Sequence, residues 1–182
     1  MIHNKDFEIL KQFLGDYKGE IHGRSLVGKL KMSQKAIALA LDGLEKEGVL
    51  KSRKQGNMKL FSINTDNDRA KDMVIVAEIK KKTEFLRIHP KLSDILKQDD
   101  RSQRKDSDVD MFIIGSKRKE DYDRKGALLD MEISIKYFSD KQFESLLKSK
   151  NNLVSEIISN HVIIFGAERF IHISWRCYYG LD

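Results

Sequence analysis

Residues 107–114, Ser-Asp-Val-Asp-Met-Phe-Ile-Ile, set two carboxylates one residue apart at the head of a strongly apolar run. Side chains on a strand alternate with a period of two, so Asp108 and Asp110 leave the same face. Two oxygen donors there suit a hard cation such as Mg²⁺, which prefers carboxylates and keeps part of its water. A solvated acidic turn leading into a core strand fits the same pattern. A second strand alternates cleanly, with Leu129, Met131, Ile133, Ile135 and Tyr137 on one face and Asp130, Glu132, Ser134 and Lys136 on the other. If the two strands are neighbours, three or four carboxylates surround one site. If the second is an edge strand, its polar face meets water.

The chain has 182 residues, enough for one ordinary domain or two small ones, and its balance of 40% apolar to 34% charged residues is that of a globular protein. The net charge of +6 is unevenly spread: residues 1–64 hold twelve Lys/Arg against seven Asp/Glu. That excess favours a polyanion-facing N-terminal part, although a basic surface also serves plain solubility. A single cysteine, Cys177, excludes an internal disulfide and a Cys-based zinc site and points to a reducing compartment. The five histidines lack ligand spacing and read as ordinary surface or core residues. There is no apolar signal segment at Met1–Asp6 and no apolar run near the ~18 residues of a membrane span, so a cytoplasmic protein without membrane contact is expected.

Within the N-terminal third, Phe7, Ile9, Leu10, Phe13 and Leu14 recur at helical spacing up to Gly15 or Gly19. Ser25 is placed to cap a short helix bearing Leu26, Val27 and Leu30. Ser33 is placed to cap a longer one with Ile37, Ala40, Leu41 and Leu44 inward and Gly48 at its end. Residues 49–53 and 59–63 read as strands joined by Lys54-Gln55-Gly56-Asn57, a hairpin turn sequence. Asn64 to Asp68 is a polar break, followed by a helix from Asp66 to about Arg87. Pro90 suits the first turn of another helix with Leu92, Ile95 and Leu96. Ser139 opens a helix with Phe143, Leu146 and Leu147, and a further one carries Leu153, Val154, Ile157 and Ile158.

Three helices and a hairpin in about 64 residues resemble a winged helix-turn-helix domain. The resemblance is carried by Gly23–Leu30, by Ala40–Leu50 with its Leu-Glu-x-x-Gly-Val-Leu run, and by Gly56–Phe61. In such domains the N-terminal part of the second motif helix enters the major groove and the wing touches phosphate or the minor groove. The groove-facing candidates are then Ser33, Gln34, Lys35 and Ala38, and the wing offers Lys51, Arg53, Lys54, Gln55 and Lys59, with duplex DNA as partner. Many winged-helix proteins bind palindromes as dimers, which makes a homodimer compatible with the resemblance.

Residues 88–182 resemble the minimal nucleotidyltransferase family of the polymerase-beta-like superfamily, through Ser107–Ile114, Asp130–Ser134 and the tail His161–Phe170. The resemblance implies that Asp108 and Asp110 hold Mg²⁺ with Glu132 or Asp130 as third carboxylate. A hydroxyl would then attack the α-phosphate of ATP and release pyrophosphate. The family's Gly-Ser pair before the Asp-x-Asp is missing: residues 96–106 contain no glycine. Ser102, Arg101, Arg104 and Lys105 are the substitutes available for phosphate. Family members often act as antitoxins that adenylylate a partner toxin, which implies that role here.

The expected architecture is α+β: a winged helix-turn-helix at 1–65, a helical connector at 66–87, and a small mixed-sheet nucleotidyltransferase-like domain at 88–182. The expected function is a DNA-binding protein fused to a Mg-dependent nucleotidyltransferase-like domain, an adenylyl-transferring antitoxin or regulator. The alternative is a transcriptional regulator whose second domain is inactive and serves for dimerisation or partner binding.

Overall fold

The computed structural model describes residues 4–90, 92–93, 109–114 and 133–181 and is an α+β protein. It divides into two units, one formed by Met1–Lys82 with Asn151–Asp182 and the other by Thr83–Lys150.

In the first unit, α1 (Asn4–Leu10) buries Ile9 and Leu10 and tightens into a 3₁₀ turn at Lys11–Phe13. The helix expected to reach Leu14 stops short because Leu14 is already extended, at φ −67° and ψ 130°, ahead of Gly15 at φ +88°. β1 (Ile21–His22) leads into the 3₁₀ turn Gly23–Leu26. The short helix expected from Ser25 to Leu30 is therefore one turn only. Ser25 Oγ donates to His22 O, so it caps nothing, and Gly28 sits at φ +86°, a conformation that ends a helix.

α2 (Gln34–Lys46) starts where expected: Ser33 Oγ accepts the Ala36 N–H at 3.2 Å, a cap worth about 1 kcal/mol. Ile37, Ala40, Leu41 and Leu44 face the core. Gly48, at φ +74°, ends the turn that follows, and its carbonyl accepts from the amides of Asn64 and Asn67. β2 (Leu50–Gln55) and β3 (Met58–Ile63) form a hairpin whose register pairs Gln55 with Met58, leaving Gly56 and Asn57 as a two-residue loop. Gly56 takes φ +58° at the first loop position, where a primed turn calls for glycine. β3 also pairs with β1, giving the sheet order β1-β3-β2. α3 (Asp68–Ile88) follows, belonging to this unit as far as Lys82, and buries Ala70, Met73, Val74, Ala77 and Glu78.

In the second unit, residue 90 and residues 92–93 are helical, and β4 (Val109–Ile114) pairs in parallel with β5 (Ile133–Phe138). α4 (Asp140–Ser149) begins with a capping box between Ser139 and Gln142 and buries Phe143 and Leu147.

The chain then returns to the first unit with α5 (Asn152–Asn160), α6 (Ala167–Ser174) and a π-helical turn at Trp175–Tyr179. Residues 151–182, grouped with 88–150 on sequence, thus pack with the N-terminal part instead. A buried polar cluster ties them there. Tyr17 Oη donates to Glu78 Oε1 at 2.7 Å, and His161 Nε2 lies 3.0 Å from the same oxygen. His161 Nδ1 donates to Ile158 O at 2.7 Å, Lys81 Nζ donates to His161 O at 2.6 Å, and Tyr179 Oη donates to Gly15 O at 2.9 Å. A Cβ on Gly15 would lie 2.7 Å from Ser159 O, so glycine is what lets the two backbones approach. Burial, and then the Glu78 carboxylate, push the Tyr17 phenol well above its usual range. Burial pulls the Lys81 ammonium down, against the attraction of Glu78.

Candidate nucleic-acid interface

Because the buried face of α2 runs through Ile37, Ala40, Leu41 and Leu44, its other side is left open to solvent, and Gln34, Lys35, Ala38 and Leu39 lie on it. Leu39 is 64% exposed, an apolar side chain in the middle of a polar face. Of the groove-facing residues expected from sequence, Gln34, Lys35 and Ala38 are therefore displayed together. Ser33 is exposed too, but its oxygen already serves as the helix cap.

The hairpin is less free than its composition suggests. Lys51 Nζ is paired with Asp66 at 3.0 Å, and Arg53 makes a two-pronged contact with both carboxylate oxygens of Glu20. Lys59 bridges Glu45 at 2.7 Å and Asp42 at 3.1 Å, and its ammonium lies 4.7 Å from the Phe61 ring centre. The Lys59 hydrogen bond, helped by Ser52, holds the Glu45 carboxyl below its ordinary range, and Glu45 in turn raises Lys59. Arg53 likewise lowers Glu20. Three of the four wing cations expected to face DNA thus already have carboxylate partners. Lys54, near the end of β2 opposite Lys59, is exposed and has no ion-pair partner among the described residues.

A different stretch carries unpaired charge. Residues 21–41 contain no Asp or Glu, yet hold Arg24, Lys29, Lys31 and Lys35. All four are exposed, and none of their side chains has a hydrogen-bond or ion-pair partner among the described residues. The signal that finds them is the twenty-one-residue gap in carboxylates between Glu20 and Asp42; counting charge over the whole N-terminal third hides it.

Of the carboxylates expected to hold metal, Asp108, Asp130 and Glu132 lie outside the described residues, as do Ser102, Arg104 and Lys105. Asp110 is in β4, where its backbone position pairs with that of Ser134. Among the described residues no group of three or more His, Cys, Asp or Glu side chains is arranged to hold a metal ion. No described helix is long and apolar enough to cross a membrane. No family model matches the chain, and neither a curated protein nor a solved structure matches it.

Proposed function

We propose that this chain is a duplex-DNA-binding protein whose N-terminal part works as a winged helix-turn-helix. The observation that carries the reading is the presentation of a capped, solvent-facing α2 next to an acid-free stretch with four unpaired cations. The element order supports it: helix, short strand, tight turn, helix and hairpin. In the major groove Gln34 would read adenine through its amide, and Ala38 and Leu39 would lie against thymine methyl groups. Lys35 would contact phosphate or guanine. Binding of the whole chain to a mixed-sequence duplex, followed by fluorescence anisotropy, is expected to weaken linearly on a log–log plot against salt. Affinity that does not change with salt, or no binding, sinks the reading.

A second function is supported by the strand pair. The register starts at Val109 with Ile133, and the residues immediately before these in sequence are Asp108 and Glu132. Among the described residues Asp110 of β4 pairs in register with Ser134 of β5, and a carboxylate site for Mg²⁺ would draw on Asp110. Oxygen-only donors of this kind suit that ion and not a soft metal. Asp108 and Asp110, with Glu132 or Asp130, would hold Mg²⁺, which would neutralise the phosphates of ATP while a hydroxyl takes the adenylyl group at the α-phosphate and pyrophosphate leaves. The acceptor would be a residue of a partner toxin, and the protein its adenylylating antitoxin. Wild type is expected to retain ATP in the presence of Mg²⁺, and Asp110→Asn to lose that retention. Equal retention by both would leave the alternative, a regulator whose second domain serves dimerisation or partner binding.

A further inference from the structure

We infer that Arg24, Lys29 and Lys31, on the turns between β1 and α2, form the main phosphate-holding surface of this protein, and that the strand cations Lys51, Arg53 and Lys59 do not take part. This rests on the DNA-binding reading above.

The turns form a built support for charge. Val27 N–H donates to Arg24 O at 3.1 Å, the N–H groups of Lys29 and Leu30 both reach Leu26 O, and Met32 N–H donates to Leu30 O at 2.8 Å. Val27 and Leu30 form a bridge, and Leu26 is anchored in the core at 1% exposure. The backbone is thus pinned from below while the three cationic side chains point into solvent. The segment ends at the Ser33 cap, so the cations run directly into the exposed face of α2.

Counterion arithmetic separates this surface from the hairpin. A free Lys or Arg that meets a phosphate releases a condensed counterion from the duplex, the origin of salt-dependent affinity. Lys51, Arg53 and Lys59 must first leave Asp66, Glu20, Asp42 and Glu45. That exchange swaps one anion for another and strands a carboxylate beside the duplex, where it repels phosphate. Arg24, Lys29 and Lys31 have no such exchange to make. Lys54, unpaired near the end of β2, remains available as a peripheral contact.

The test is the salt dependence of binding to a mixed-sequence DNA duplex by the full chain. Arg24→Gln, Lys29→Gln and Lys31→Gln together are expected to reduce the log–log slope by about 2.7, at about 0.9 per phosphate contact. Lys51→Gln, Arg53→Gln and Lys59→Gln together are expected to leave the slope unchanged. Single Lys29→Gln, at an exposed site, is expected to take about 0.9 from the slope and guards against misfolding of the triple variant. A slope lost in the strand triple and kept in the turn triple overturns the placement while leaving DNA binding intact. Absence of salt-dependent binding by wild type overturns both readings. Stronger binding to anionic vesicles than to duplex would assign the surface to membrane lipid and also overturn the inference.

Discussion

His161→Leu is expected to lower the unfolding free energy by about 1–3 kcal/mol, the usual cost of leaving a buried polar group without its hydrogen-bond partner. Glu78 is fully buried on α3, and its Oε1 faces both Tyr17 Oη and His161 Nε2. Its second oxygen has no hydrogen-bond partner among the described residues, so the carboxylate has little to fall back on. Removing the imidazole leaves the buried Glu78 side chain with the Tyr17 phenol as its one hydrogen-bond partner. Replacing all three partners, His161→Leu with Glu78→Leu and Tyr17→Phe, leaves none of these groups buried and unpaired and is expected to recover most of the loss. Trp175, the only tryptophan, is buried with its ring centre 5.9 Å from that of Tyr17, so its fluorescence in a urea titration reports on this cluster. A single variant as destabilised as the triple one would show that packing, not the pairing, holds the C-terminal helices in place.

Alkaline pH is expected to produce the second large effect. The folded Tyr17 phenol keeps its proton above the ordinary value of 10.0, because burial and then Glu78 disfavour the phenolate. An unfolded chain gives that proton up near pH 10, so above this point the unfolded state binds fewer protons and stability falls as pH rises. Below it the contribution is fully present. The slope is about 1.4 kcal/mol per pH unit from Tyr17 alone, made steeper by Tyr179, whose phenol is also raised by burial. Lys81 acts with the opposite sign: its lowered value means that the unfolded state holds more protons on approach to 10.5, so stability rises there. Urea midpoints measured across this range are expected to turn downward above pH 10, and Tyr17→Phe to flatten the fall. An unchanged fall in Tyr17→Phe would place the alkaline transition elsewhere.

The local elements were readable where one short-range rule decides. Ser33, the Ile37–Leu44 spacing and Gly48 specify α2, and Gly56-Asn57 specifies the hairpin loop. Ser25 misled because a hydroxyl can bond backward to a carbonyl as readily as it caps a helix, and here Gly28 tips the choice. The pairing of wing cations was not readable. Glu20 lies 33 residues from Arg53, and Asp66 lies 15 from Lys51, distances in sequence that only the folded chain closes. The same holds for the return of residues 151–182: Tyr17 meets a histidine 144 positions away. Of the carboxylates that opened the sequence argument, Asp110 alone lies among the described residues, in β4 opposite Ser134.

The central claim is that the α2 face and the turns before it receive duplex DNA. Titrating a mixed-sequence duplex into isotope-labelled protein and following each backbone amide tests it directly. The account predicts shifts concentrated from Arg24 to Leu39, with weaker ones at Lys54 to Asn57. A spectrum that stays unchanged across those residues as duplex is added, or changes only elsewhere in the chain, would contradict it.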